Sequence, residues 1–120
     1  MLKKLFFVLI LFIFTTSQSQ TQINIDDFNI SSDMDKIVSM YKTIETTNDE
    51  FLYQIYVEDL EYTLRTFLIV LLENILNKNK DNTISKFIKK YESIDKEYKF
   101  LFEDCVLILN KKYYVNIIGE

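Results

Sequence analysis

Apolar residues recur every three or four positions along most of this 120-residue chain, which is the spacing of residues on one face of an α-helix. A length near 120 residues also indicates a single domain. The sequence therefore predicts an all-α protein. We expect a small antiparallel three-helix bundle, in which one short helix is followed by a long helical hairpin.

The first predicted helix begins near Ser32, whose hydroxyl can accept a hydrogen bond from the opening turn. Asp33 and Asp35 follow it, where the helix dipole favours negative charge. The helix ends at the segment 46–48, because two threonines and an asparagine disfavour its continuation. Its apolar face consists of Met34, Ile37, Val38, Tyr41 and Ile44.

The second predicted helix runs from about Asp49 to Asn77, with Thr47 and Glu50 in the pattern of a capping box. Its broad apolar face consists of Tyr53, Tyr56, Val57, Leu60, Leu64, Phe67, Leu71 and Ile75. A second, thinner row lies on the back of this helix at intervals of seven residues. That row consists of Ile55, Tyr62, Ile69 and Leu76. The row is either further core against the first helix or a seam that binds a partner protein.

The third predicted helix opens at Asn82 or Thr83 and continues to about Lys111, followed by an extended tail. Its apolar face consists of Ile84, Phe87, Ile88, Tyr91, Ile94, Tyr98, Leu101, Phe102, Cys105 and Leu109. The end of the chain has an alternative. Residues 105–109 are apolar on all sides and residues 113–118 are rich in strand formers, so the two segments could instead pair as a C-terminal β-hairpin.

The first nineteen residues have the layout of a secretory signal peptide. Lys3 and Lys4 precede the apolar run Leu5–Phe14, and a small polar segment follows it. Ten apolar residues are fewer than the ~20 that a membrane-spanning helix needs, although an uncleaved run could remain as an anchor. We expect cleavage after Ser19, no stable membrane span afterwards, and a secreted or periplasmic protein. Residues 20–31 are then a flexible leader and residues 32–120 the helical domain.

The charge balance is acidic, with 14 basic and 18 acidic residues and a net charge of −4. Loss of Lys3 and Lys4 with the signal peptide leaves 12 basic residues and a net charge of −6. The basic pairs Lys89–Lys90 and Lys111–Lys112 are isolated in the sequence. A phosphate backbone would be repelled by this charge, so we expect no nucleic-acid partner.

Residues 77–88 lie between two predicted helices and resemble the twelve-residue calcium loop of an EF-hand. The resemblance implies oxygen ligands at Asn77, Asn79, Asp81, Thr83 and Ser85. Three positions depart from the motif. Ile88 stands where the bidentate glutamate belongs, Asn82 replaces the glycine of the turn, and the neutral Asn77 replaces the aspartate of the first position. We therefore expect a helix–turn–helix connector, with no metal and no other cofactor.

The chain lacks the usual parts of a catalytic site. It has no His, which removes the common general base and metal ligand, and it has one Cys. Carboxylates cluster at Glu58, Asp59 and Glu61 and again at Glu103 and Asp104. No partner residue at a suitable spacing would turn either cluster into a catalytic group. Cys105 lies on an apolar face, which predicts an inert buried thiol; the alternative is a disulfide that links a homodimer.

These observations predict a small exported protein that is not an enzyme and acts by protein–protein interaction. A more specific hypothesis is that the protein is an acidic inhibitor or immunity protein that binds a basic partner. The row Ile55, Tyr62, Ile69 and Leu76 is the predicted partner-binding site. The alternative function is a carrier of a small hydrophobic ligand, held in a cavity lined by Phe67, Leu71, Tyr98 and Phe102.

Overall fold

The computed structural model describes residues 28–117, and over this range the fold is all-α, with four α-helices and no strand. The predicted signal peptide and the leader up to residue 27 lie outside the described residues. The helices, with one 3-10 helix between the last two, are α1 Ile30–Glu45, α2 Glu50–Asn77, α3 Lys80–Ser93, the 3-10 helix Lys96–Phe102, and α4 Glu103–Lys112. Helices α1, α2 and α3 each contact the other two.

Helix α1 begins two residues before the predicted cap. Asn29 is the N-cap, and its side-chain oxygen accepts a hydrogen bond from the Ser32 backbone N–H at 2.9 Å. The predicted cap Ser32 is therefore inside the helix. Ile30 and Ser31, expected in the leader, form its first turn. Ile30 is buried, so this extra turn also adds an apolar side chain to the core.

Helices α2 and α3, like α1, are capped at the N-terminus by a short side chain with an amide or carboxylate group. Asp49, not Thr47, caps α2 by accepting from the Leu52 N–H at 3.0 Å. The Thr47 hydroxyl instead donates to the Thr43 carbonyl at 2.6 Å, at the end of α1. Asn79 caps α3, so the predicted caps Asn82 and Thr83 lie within that helix. The predicted ends of α2 are otherwise confirmed.

The prediction of one long third helix is wrong, because the chain leaves the helix after Ser93. The Ser93 hydroxyl donates to the Lys90 carbonyl at 2.7 Å and so competes with the helical hydrogen-bond pattern. Ile94 then takes an extended conformation, with ψ of 140°. The turn redirects the chain so that Tyr98 packs against Tyr41 of α1, with ring centroids 6.1 Å apart. The bundle consequently has four helices where three were expected.

The end of the described chain is a helix, as preferred from the sequence, and not a β-hairpin. The tail that follows is not extended, because Tyr114 has a φ of 57° and the Val115 N–H donates to the Leu109 carbonyl at 3.0 Å. Residues 105–112 are helical, so they are not available as a strand. The tail after Tyr113 folds back to α4, where the Asn110 side chain donates to the Ile117 carbonyl at 3.0 Å and accepts from its N–H at 2.9 Å. These two bonds place the Ile117 side chain in the core.

The core is formed by one face of each helix and of the 3-10 segment. Its largest fully buried side chains are Tyr91, Phe87, Phe102, Met34, Ile37, Ile44, Leu60, Leu68, Leu71 and Leu109. Aromatic pairs in edge-to-face contact connect the elements, for example Phe67 of α2 and Phe102, whose ring centroids are 5.9 Å apart. The predicted apolar face of residues 84–109 is buried almost throughout, even though the helix that carries it is interrupted.

Candidate protein-binding face

The row Ile55, Tyr62, Ile69 and Leu76, called the outer row below, lies on the side of α2 that faces away from the bundle. The exposed fraction is 37% for Ile55, 51% for Tyr62 and 66% for Leu76, while Ile69 is half-buried. The interpretation of this row as core against the first helix is therefore wrong for three of its four residues. The structure leaves it as an apolar strip open to solvent.

Helix geometry explains why the bundle does not cover the outer row. At about 100° per residue, Leu60, Leu64 and Leu71 lie about 140–180° around the α2 axis from Ile55. These three side chains are buried against the other elements. Helices α1 and α3 thus pack against the opposite face of α2. The two ends of the outer row, Ile55 and Leu76, are 21 residues apart, or about 32 Å along the helix.

Two further exposed apolar residues extend the row at the start of α2. Phe51 is 73% exposed, and Leu52 is also exposed. Phe51 lies one helical turn before Ile55, so the two share a face. The predicted row does not include this extension, although the spacing of four residues between Phe51 and Ile55 is a sequence signal for it.

Carboxylates border the outer row. Glu58, Asp59 and Glu73 lie within about 60° of Ile55 around the helix axis. Burial, and secondly the negative charge of Glu58, raise the pKa of Glu61 on the same helix. The one basic residue of α2, Arg65, has its guanidinium carbon 5.0 Å from the centroid of the Tyr62 ring. The strip is therefore apolar along its centre and mainly acidic along its edges.

A small socket opens beside Tyr62, between α1 and α2. It encloses about 200 Å³, with Ile37, Phe67 and Val70 as apolar wall. Asp33 and Lys36 stand on its α1 side. Partial burial raises the pKa of the Asp33 carboxyl, and the nearby Lys36 opposes this effect. The socket thus combines an apolar wall with a partly desolvated carboxylate.

The segment that resembles an EF-hand does not form a calcium loop. Helix α2 ends at Asn77 and α3 begins at Lys80, so most of the twelve residues are helical. The interpretation as a helix–turn–helix connector is confirmed. Nor do three or more His, Cys, Asp or Glu side chains in the described part of the chain come close enough together to hold a metal ion.

The two carboxylate clusters lie on different helices, α2 and α4. Within the second cluster, Asp104 is buried, and neither of its carboxylate oxygens has a hydrogen-bond partner among residues 28–117. Desolvation, and secondly the charge of Glu103, raise the pKa of Asp104 to about 7. Cys105, the next residue, is buried as well, and burial raises the pKa of its thiol. A disulfide between two copies would require this part of the core to open.

The alternative function, a carrier of a small hydrophobic ligand, requires a cavity between the helices. The rings of Phe67 and Phe102 are in edge-to-face contact, and Leu71 and Phe102 are fully buried. None of the three grooves measured on residues 28–117 is lined by Leu71, Tyr98 or Phe102. A ligand cavity at these residues would need the rings to move apart.

Comparison with protein-family models, curated proteins and solved structures found no match to this chain. Among residues 28–117, none of the helices combines the length and hydropathy that crossing a membrane requires.

Proposed function

We propose that this protein is a non-enzymatic binding protein whose outer row on α2 docks against a basic segment of another protein. The single observation that carries the proposal is the exposure of apolar side chains at seven-residue intervals along a helix whose opposite face is fully packed. Large apolar side chains aligned on a surface are unfavourable in water and are typical of interaction sites.

The spacing of the outer row favours a helical partner. Two helices that pack at a small crossing angle contact each other through apolar residues at two of every seven positions. Ile55, Tyr62, Ile69 and Leu76 would supply one of these two positions over three seven-residue repeats. An amphipathic helix of the partner would lay its apolar face along the strip.

Charge favours a basic partner over a second copy of this chain. Helix α2 carries five carboxylates and one arginine. In a symmetric dimer through the outer row, Glu58, Asp59 and Glu73 would lie opposite the same carboxylates of the second copy, which is unfavourable. Lysines or arginines at the flanking positions of a partner helix would neutralise them.

The area of the outer row can be compared with the area that a stable protein complex buries. A strip about 32 Å long and about 10 Å wide covers roughly 320 Å². A stable complex of standard size buries about 800 Å² on each partner. The outer row alone is therefore too small, and the interface should extend over Phe51 and Leu52 and across the socket beside Tyr62.

The socket suits a long basic side chain. The methylene stem of a lysine or arginine can lie on Ile37 and Phe67 while its charge reaches Asp33. Such a pairing would remove the unfavourable state of a partly desolvated, unpaired carboxylate. Buried aromatic and arginine anchors of this kind commonly dominate the energy of an interface.

The exported location and a role as an inhibitor or immunity protein of acidic type belong to the same proposal. Both rest on the N-terminal sequence pattern and on the acidic charge. The carrier function is less favoured, because it needs space where the Phe67 and Phe102 rings are in contact.

The proposal is tested with two labelled helical peptides that both carry leucine every seven residues. One has lysines at the flanking positions and the other has glutamates. We expect the lysine peptide alone to bind the full chain in a fluorescence-anisotropy titration. Replacing Ile55 and Tyr62 by Ser should raise its Kd at least about tenfold, which corresponds to about 1.4 kcal/mol.

Matched controls locate the binding. Leu107→Ser removes an exposed apolar side chain on α4 and should leave the Kd unchanged. The double variant Glu58→Gln/Glu73→Gln should weaken binding, whereas Asp81→Asn/Glu92→Gln, at exposed positions of α3, should have little effect. Equal Kd values for Ile55→Ser/Tyr62→Ser and for the unmodified chain would overturn the proposal.

A further inference from the structure

The end of the molecule away from the start of α2 carries a basic groove, although the chain as a whole is acidic. The groove has a volume of about 670 Å³ and lies where the N-terminal turn of α1, the C-terminal end of α2 and one face of α3 meet. Four lysines line it, Lys78, Lys86, Lys89 and Lys90, and no carboxylate does so in the described part of the chain.

The lysines converge because of helix periodicity and the short connection between α2 and α3. Lys86, Lys89 and Lys90 are spaced three and four residues apart, so they share one face of α3. Lys78 is the C-cap of α2, two residues before α3 begins, and therefore stands at the mouth of the same groove. The pair Lys89–Lys90 looked isolated in the sequence only because Lys78 and the start of α1 come from other elements.

The positive charge of the groove is only partly compensated. Lys90 forms an ion pair with Asp35 of α1, with 2.6 Å between Nζ and the carboxylate oxygen. Lys86 and Lys89 form no ion pair with any other group in residues 28–117. Ammonium groups confined to one groove repel each other, and a bound anion removes this repulsion.

Neutral hydrogen-bond donors complete the lining. Asn29 and Asn79 each use the side-chain oxygen to cap a helix, so their NH₂ groups remain available as donors. Asn29, Ile30 and Ser31 line the groove with the first turn of α1. The backbone N–H groups of Ser32 and Asp33 are bonded to Asn29, whereas those of Ile30 and Ser31 have no acceptor within the helix. Donors at a helix N-terminus next to lysines are suited to phosphate oxygens.

We infer that this groove is a binding site for an anion that carries two or more phosphate groups. The separation of lysines on two elements favours several phosphates over a single one, and the volume lies in the range of small-molecule sites. Leu76, the last residue of the outer row, is two residues before Lys78, so the groove begins where the row ends, but no residue of the outer row lines it. Free oligophosphates and phospholipid headgroups that carry two phosphates share this chemistry.

The experiment titrates the full chain with sodium tripolyphosphate by isothermal calorimetry. A second arm uses phosphatidylcholine vesicles that contain cardiolipin, whose headgroup carries two phosphates, and measures binding by co-sedimentation. Lys86→Gln/Lys89→Gln should weaken binding at least tenfold in the arm that shows binding. Both side chains are exposed, so the fold should persist, which circular dichroism checks. The matched control Lys111→Gln/Lys112→Gln removes an exposed basic pair outside the groove and should leave the affinity unchanged.

Binding of tripolyphosphate that depends on Lys86 and Lys89 supports a free anion as ligand, and vesicle binding with the same dependence supports a lipid headgroup. The inference is overturned if neither arm binds. It is equally overturned if the control variant loses as much affinity as the groove variant, because the binding is then a general attraction to lysines.

Discussion

Replacing Asp104 with Asn should stabilise the protein by an amount that grows as the pH rises from about 4 to about 7. Asp104 is 5% exposed, and neither carboxylate oxygen has a hydrogen-bond partner in the part of the chain that the structure describes. Its pKa is raised to about 7, first by burial and secondly by the charge of Glu103. The ionised form is therefore unfavourable in the folded state, and Asn keeps the shape of the side chain without the charge.

The sign and size of the effect follow from the two pKa values. In the unfolded chain the Asp104 carboxyl titrates near its ordinary value of 3.8, and in the folded chain near about 7. Between these values the unfolded chain has lost the proton and the folded chain has kept it, so stability falls as the pH rises. At about 1.4 kcal/mol per pH unit, the loss reaches at most about 4 kcal/mol and is complete above about pH 7.

The position of Asp104 in the first turn of α4 opposes this loss but does not cancel it. A carboxylate near a helix N-terminus is stabilised by about 0.3–1 kcal/mol. Desolvation is the larger effect. We therefore expect Asp104→Asn to raise the free energy of unfolding by about 2–4 kcal/mol at about pH 8 and by little at about pH 4.

The assay is urea denaturation of the unmodified chain and the Asp104→Asn variant at several pH values between about 4 and 8. The chain contains no His, so no imidazole titrates in this interval. Asp81→Asn is the matched control, because Asp81 is an exposed carboxylate in the first turn of α3. A difference between Asp104→Asn and the unmodified chain that does not grow with pH would refute the reasoning.

Two further predictions concern local structure. Asp49→Ala should lower the free energy of unfolding by about 1 kcal/mol because α2 loses its cap, whereas Thr47→Ala should lower it by less than half as much. Thermal denaturation compares the two variants, and a larger effect of Thr47→Ala would show that Thr47 caps α2, as expected from the sequence. Asn110→Ala should lower the free energy of unfolding by about 1–2 kcal/mol and speed hydrogen exchange at the Ile117 amide. Unchanged exchange at this amide would show that the two hydrogen bonds of the Asn110 side chain do not hold the tail against α4.

The faces of the helices could be predicted from the sequence because they depend on spacing alone. Ile84, Phe87 and Tyr91 are buried as expected, and so are Tyr98 and Phe102 beyond the break. Side chains three or four positions apart in an α-helix, and three apart in a 3-10 helix, lie on nearly the same side. The apolar spacing within each segment therefore predicted its buried residues although the helix is interrupted.

The break itself could not be predicted in the same way. It depends on the bond from the Ser93 hydroxyl to the Lys90 carbonyl and on the docking of Tyr98 against Tyr41, which exist only in the folded bundle. The exact caps were missed because Asn29, Asp49 and Asn79 compete with nearby serine and threonine residues that are also good caps.

The two candidate sites also differ in how far they could be predicted from the sequence. The outer row lies on one helix, so its regular interval was visible in the sequence, although whether it would be core or surface depended on where α1 packs. The lysine groove combines residues 29–31 with Lys78 and the α3 lysines. These come from three elements whose arrangement is a property of the tertiary structure, so the sequence pattern contained no sign of it.

The central claim is that the outer row binds a basic protein, and comparative capture tests it most directly. The full chain, the Ile55→Ser/Tyr62→Ser variant and the Leu107→Ser control are immobilised in equal amounts and exposed to extracts and culture medium of the producing cells. We predict a basic protein that is retained by the full chain and by the control but lost from the outer-row variant. Retention of the same proteins by all three forms, or of none by any, would contradict the claim.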